Sequence, residues 1–84
     1  MRPRVEYKAS VEKDLRRLGK QEALRVLSRI ERSLVQEGPQ GEALSGDFAG
    51  LYRLRVGDYR VIYAHTDEGY LVLRVGHRRD VYRR

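Results

Sequence analysis

The 84 residues suffice for one small domain with a thin core and leave no room for a second. Hydrophobic residues make up 40% of the chain, there is no cysteine, and no apolar run nears membrane-spanning length. A disordered chain, a disulfide framework, a thiolate metal site and a membrane helix are therefore excluded. The N-terminal MRPRVEYKAS carries charge but no apolar core of a signal sequence, so a soluble, cytoplasmic protein is expected. The formal charge is +6 and the pI about 10.1. Residues 1–47 contribute a net +2 and residues 48–84 a net +4, and in the second part every base is arginine. Such a balance favours polyanions, and arginine favours forked contacts to phosphate or carboxylate.

Val5 to Tyr7, after Pro3, predicts a short first strand, because proline is tolerated only at a strand's start or edge. Ser10 is placed to cap the helix that follows, in which Val11, Leu15 and Leu18 share one face and Gly19 marks the stop. A longer helix runs from Lys20, with Leu24, Leu27, Ile30 or Glu31, and Leu34 as its apolar repeat and Val26 and Val35 flanking it, until Gly38-Pro39 ends it. Gly38 to Gly50 is a glycine-rich connector. Gly41 and Gly46 have the spacing of a phosphate-binding loop, but Asp47-Phe48 stands where Lys-Ser/Thr belongs. Leu44 and Phe48 are expected to tuck against the core.

Leu51–Val56, Tyr59–His65 and Tyr70–Gly76 are strand-like runs joined by Gly57-Asp58 and Asp67-Glu68-Gly69. The tail HRRDVYRR reads as a last turn or an ordered extension. The predicted architecture is α+β: one strand, a helical hairpin, then a three-stranded antiparallel meander, in a single domain over residues 1–84.

Alternation fixes the faces of the meander. A two-residue loop at Gly57-Asp58 sets Arg55 opposite Arg60, so Arg53, Arg55 and Arg60 share one face. Leu54, Val56, Tyr59, Val61 and Tyr63 take the other, which the helices must cover. A three-residue loop with a left-handed Gly69 sets Gly76 opposite Arg60. It also places Leu71, Leu73 and Val75 on the core face and adds Arg74 and Arg78 to the arginine face, with Gly76 leaving space between them. His77 falls on the opposite parity. Opposed like charges destabilise a ladder by a few tenths of a kcal/mol up to ~1, so this face invites an anion.

Nucleophile elbows, metal-ligand spacings and paired carboxylates are absent from the sequence, and neither a metal nor a cofactor is expected. Cleavage of RNA needs less of a protein, because the 2′-hydroxyl is the nucleophile. What the site must supply is an in-line geometry and stabilisation of the developing charge on phosphorus. Guanidinium groups suit the second task, and Tyr82 could either stack on a base or pin the tail to the core.

GLYRLRVGDYRVIY followed by LVLRVGHRRDVYRR closely resembles the RelE side of the RelE/ParE toxin superfamily of bacterial and archaeal toxin–antitoxin systems. The resemblance implies a microbial-ribonuclease-like fold and an mRNA interferase that cuts mRNA in the ribosomal A site by 2′-hydroxyl attack. It casts Arg60, Arg78, Tyr82 and Arg55 as catalytic residues. Arg53, Arg55, Arg74, Arg79 and Arg83 become RNA contacts. Partners implied are a cognate antitoxin in a hetero-oligomer that also engages operator DNA, together with the ribosome and mRNA. Some members carry lysine at the positions of Arg53 and Arg55. Arginine holds its proton too tightly for general acid–base work, which casts these two as electrostatic stabilisers. A gyrase inhibitor of the ParE kind, or a catalytically silent binding module, remains as an alternative.

Overall fold

In the computed structural model, residues 2–38 and 41–81 are described. Strand β1 (Arg4–Tyr7) leads into helices α1 (Val11–Leu18) and α2 (Lys20–Ile30), and α2 continues as a wider π-helical stretch over Glu31–Gln36. A two-residue strand β2 (Glu42–Ala43) and a 3-10 turn (Gly46–Phe48) precede β3 (Tyr52–Val56), β4 (Tyr59–His65) and β5 (Gly69–His77). The five strands form one sheet in the order β1-β5-β4-β3-β2. β1 lies parallel to β5 and every other pairing is antiparallel. The α+β reading holds. The meander gains an edge strand on each side, one of them drawn from the stretch expected to be connector.

The helices pack on one face of the sheet. Val11 of α1 and Val26, Ile30 and Leu34 of α2 and its extension are buried against Leu54, Val56, Val61, Tyr63, Val72 and Val75. The α2 stripe differs from expectation: Leu24 is 56% exposed while Val26 is fully buried. At about 100° per residue, Val26, Ile30 and Leu34 span one flank of the helix and Leu24 falls far to the side of it. Gly19 does end α1, with a left-handed φ of 85° and its N–H bonded to the Arg16 carbonyl. Ser10, by contrast, has helical backbone angles and makes no side-chain cap. The first turn is entered instead through Val11 N–H to the Lys8 carbonyl at 2.9 Å.

The β4–β5 register departs from expectation in half of its length. Thr66 and Gly69 exchange both backbone hydrogen bonds, at 2.8 and 3.3 Å, so the loop has two residues, Asp67-Glu68. His65, Ala64 and Tyr63 therefore oppose Tyr70, Leu71 and Val72. A bulge between Ile62 and Tyr63 then restores the expected register, in which Arg74, Val75 and Gly76 face Ile62, Val61 and Arg60. Each half buries its own apolar set. Tyr70 and Val72 enter the core in place of Leu71 and Leu73, whereas Val75 lies where the parity put it. Gly69 is fixed by its neighbour rather than its turn, because a Cβ there would overlap the Arg4 backbone of β1.

Two polar groups secure the edges of the core. β1 stops pairing at Val72, and beyond it the Val75 N–H of β5 donates to Asp14 Oδ2 of α1 at 3.0 Å. At the opposite end Tyr63 is fully buried, stacked on Tyr52 with ring centres 5.5 Å apart. Its hydroxyl lies against the Gly41 backbone but makes no well-aligned hydrogen bond. Burial pushes this phenol up, with the Gly41 backbone dipole opposing the shift in part and Tyr70 and Tyr52 adding to it. Leu44 and Phe48 are half-buried in the connector.

Candidate nucleic-acid interface

The face opposite the helices is organised in rows across the strands. Glu42, Arg53, Ile62 and Arg74 are successive cross-strand neighbours from β2 to β5. In the next row Arg55 opposes Arg60, and Arg60 opposes Gly76. Strand pairing thus brings Arg53, Arg55, Arg60 and Arg74 onto one face. The predicted opposition of Arg55 and Arg60 is present.

Three features of this face come from residues that charge alone does not single out. Glu42 is the first: its carboxylate lies 3.0 Å from Arg53 Nη2 and 3.6 Å from Arg55 Nε, one anion shared by two cations. Strand β2 therefore carries a counter-charge onto the wall from outside the meander. Ile62 is the second, 4% exposed between the half-buried Arg53 and Arg74, whose aliphatic stems are its cross-strand neighbours. Val81 is the third. The space expected over Gly76 is filled: a Cβ on Gly76 would lie 3.8 Å from the Val81 Cα, and Val81 is itself 2% exposed. The wall therefore has a partly apolar floor. A Cβ at position 76 would make ordinary van der Waals contact with Val81.

The tip of the β3–β4 hairpin gathers the remaining cations. Arg60 Nη1 donates to the carbonyls of Gly57 and Tyr59, each at 2.8 Å, so the guanidinium is held by its own turn. These bonds use one nitrogen of a planar fork that has five N–H donors in all. The Arg78 N–H donates to the Asp58 carbonyl at 2.9 Å, tying the tail to the same turn. Beyond it, Asp80 and Val81 N–H groups both bond the His77 carbonyl, at 2.8 and 3.1 Å, and close a turn that carries exposed Arg78 and Arg79. Tyr82 and Arg83 lie outside the described residues.

His77 opposes Tyr59 on the helix-side parity, with ring centres 6.3 Å apart. Its Nδ1 accepts the Arg79 N–H at 3.3 Å, which leaves Nε2 to carry the proton of the neutral ring. The imidazole lines a cleft of about 360 Å³ at the uncovered edge of β5, together with Asp14, Arg17, Arg74 and Asp80. Among the described residues, no group of three or more His, Asp or Glu could hold a metal ion, and no helix is long and apolar enough to cross a membrane.

A helical hairpin on one side of a mixed five-stranded sheet and a row of guanidinium groups on the other define a RelE-like α+β domain. The sequence profile described as "ParE toxin of type II toxin-antitoxin system, parDE" matches residues 5–82. The chain belongs to the RelE/ParE superfamily of type II toxin–antitoxin toxins. It is 44% identical over 46 residues to Toxin RelG of Mycobacterium tuberculosis, a match that spans 52% of this chain and about half (53%) of that protein. The toxin–antitoxin complex RelBE2 of M. tuberculosis has a chain 29% identical, with a TM-score of 0.80, covering 93% of this chain and 100% of that one. In the archaeal RelE–RelB complex of Pyrococcus horikoshii the values are 30% and 0.70, over 96% of this chain and 100% of that one.

Proposed function

We propose that this protein is a toxin that cleaves mRNA on the ribosome and is neutralised by a small antitoxin. The observation that carries the proposal is the pair of cross-strand rows that set Arg53, Arg55, Arg60 and Arg74 on the sheet face opposite the helices. In the reaction the substrate's 2′-oxygen attacks the adjacent phosphorus and the bond to the 5′-oxygen breaks. The products are a 2′,3′-cyclic phosphate and a 5′-hydroxyl, with the proton of the nucleophile lost and one gained by the leaving oxygen. In this reading Arg60 and Arg78 neutralise the charge that builds on the equatorial oxygens. Arg53 and Arg55 hold the flanking phosphates, Arg74 and Arg79 extend the contact, and Tyr82 and Arg83 complete it from the tail. An arginine wall positions and stabilises but moves protons poorly, so the ribosome's ordering of the mRNA carries much of the rate.

A second reading is inhibition of DNA gyrase without cleavage. The ParE description of the matching profile favours it, as does the arginine character of the wall. Primer extension on ribosome-bound mRNA, run beside a gyrase supercoiling assay, separates the two. Cleavage that disappears in a folded Arg60→Ala, Arg78→Ala double variant supports the nuclease. Gyrase inhibition by the wild type without any mRNA cut would overturn it.

A further inference from the structure

A second set of guanidinium groups stands on the helix side of the same hairpin. Arg25, Arg29 and Arg32 of α2 and its extension recur at i, i+4 and i+7, one flank of the helix, over a rise of about 10 Å. With Ser28 and Val56 they line a groove of about 360 Å³, and no carboxylate is among its described lining residues. Arg29 is oriented by its Nε bond to Ser33 Oγ at 2.9 Å, where Ser33 is fully buried. Arg25 makes one loose, exposed contact with Glu22 at 3.4 Å. Like charges at these spacings repel along a helix, and Arg25 and Arg32 stand at exposed positions while Arg29 is half-buried.

Arg25 of the groove and Arg60 of the arginine wall both approach Gly57. Its φ of 60° is left-handed, and a Cβ there would sit 3.2 Å from Arg25 Nη2. On the other side of the same residue, Arg60 Nη1 bonds its carbonyl at 2.8 Å. Glycine thus lets one guanidinium approach from the helix side while another closes on the turn from the wall. The basic band runs from Arg32, Arg29 and Arg25 round the hairpin tip to Arg60, Arg55 and Arg53.

We propose that the α2 groove binds a second stretch of RNA phosphate backbone, so that the bound strand turns a corner at the hairpin tip. This rests on the RNA reading above and deepens it. The alternative occupant is an acidic peptide. RNA is favoured because the groove approaches, at Gly57, a wall already suited to phosphates and repeats its arginine chemistry. The bend also has a use: in-line attack by a 2′-hydroxyl needs a backbone bent away from its helical path. A corner at Arg60 places the bend where the charge is neutralised.

The test is the salt dependence of binding to a 20-nucleotide single-stranded RNA, measured by fluorescence anisotropy for the wild type and an Arg25→Ala, Arg32→Ala variant. Each lost phosphate contact removes about 0.7 from the slope of log K against log salt, so the variant's slope should be shallower by about 1.4. An Arg25→Lys, Arg32→Lys variant keeps the charge and should keep the slope, which separates lost contacts from misfolding. An unchanged slope in the alanine variant overturns the proposal, and so does an equal loss in the lysine variant. A polyglutamate peptide that loses affinity for the alanine variant while RNA does not would overturn it in favour of an acidic partner. Failure of the wild type to cut ribosome-bound mRNA would remove the nuclease reading and leave the slope result standing.

Discussion

Glu42 provides the sharpest test of the wall, because it competes for the cations that a phosphate would use. In a Glu42→Gln variant the geometry of β2 is retained and one negative charge is removed from between Arg53 and Arg55, now 3.0 and 3.6 Å from its carboxylate. Glu42 and Arg55 are open to solvent, at 59% and 58% exposed, while the Arg53 side chain is 24% exposed. Each pair is worth about 0.2–1 kcal/mol at most, so the unfolding midpoint should scarcely move. Binding should respond more. A unit charge about 6 Å from a phosphate contributes roughly 0.7 kcal/mol at the dielectric of water, which is about a threefold gain in affinity. One more cation available to the ligand should also steepen the salt slope by about 0.7 for a single-stranded RNA. Anisotropy titrations from about 50 to 200 mM salt resolve both effects. Unchanged or weaker binding, with an unaltered slope, would refute the reasoning. It would mean that Arg53 and Arg55 serve the sheet and not a ligand.

A Cβ on Gly41 would lie 2.7 and 2.8 Å from Cε1 and Cζ of Tyr63, so Gly41→Ala should cost about 1–3 kcal/mol in denaturant melts. Adding Tyr63→Phe should restore only part of that, since both ring carbons remain. Alone, Tyr63→Phe removes a buried hydroxyl without a well-aligned partner and should leave stability equal or higher; a lowered midpoint would contradict this. Because burial raises the Tyr63 phenol, the folded state retains a proton that the unfolded chain releases near pH 10. The wild type should therefore lose stability as pH climbs from about 10, and the phenylalanine variant should lose less across the same urea melts. Asp14→Ala strands the Val75 N–H and should cost about 1–3 kcal/mol. Asp14→Asn keeps an acceptor and should cost less, and equal costs would show that the bond is not what Asp14 contributes.

The arginine face was legible because a two-residue loop and strict alternation leave no freedom at Arg53, Arg55 and Arg60. The turn at Gly57-Asp58 fixed the register within its own hairpin, and the structure has the pairing it dictates. The β4–β5 hairpin was legible only where its pattern was unambiguous. Tyr70, Leu71, Val72 and Leu73 are all apolar, so either parity buries two of them. A bulge that trades one pair for the other costs nothing in the pattern. Only the parallel neighbour β1 resolves it, and β1 meets Gly69 through a backbone approach that no local signal announces. Leu24 misled for a related reason, since leucine spacing in α2 fits more than one flank and the sheet selects the flank of Val26.

The parts of the candidate site that escaped the sequence reading are those supplied by another element. Glu42 comes from a strand of two residues, too short for any periodic signal, held by its pairing to Arg53. Val81 reaches Gly76 only because the turn after His77 folds the tail back over the sheet. Arg25 reaches Gly57 only because α2 crosses the hairpin tip. These additions change what the arginines mean. A wall standing in open water would hold phosphate weakly and be screened by salt. Ile62 and Val81 are buried beside it, and a charge-assisted hydrogen bond gains strength where water is excluded. Glu42 bridges Arg53 and Arg55, so the repulsion that would otherwise splay them is relieved. On the proposed RNA reading, the same carboxylate would favour an extended polyanion over a single small anion. Only a ligand that contacts several guanidinium groups at once outweighs the contact it breaks.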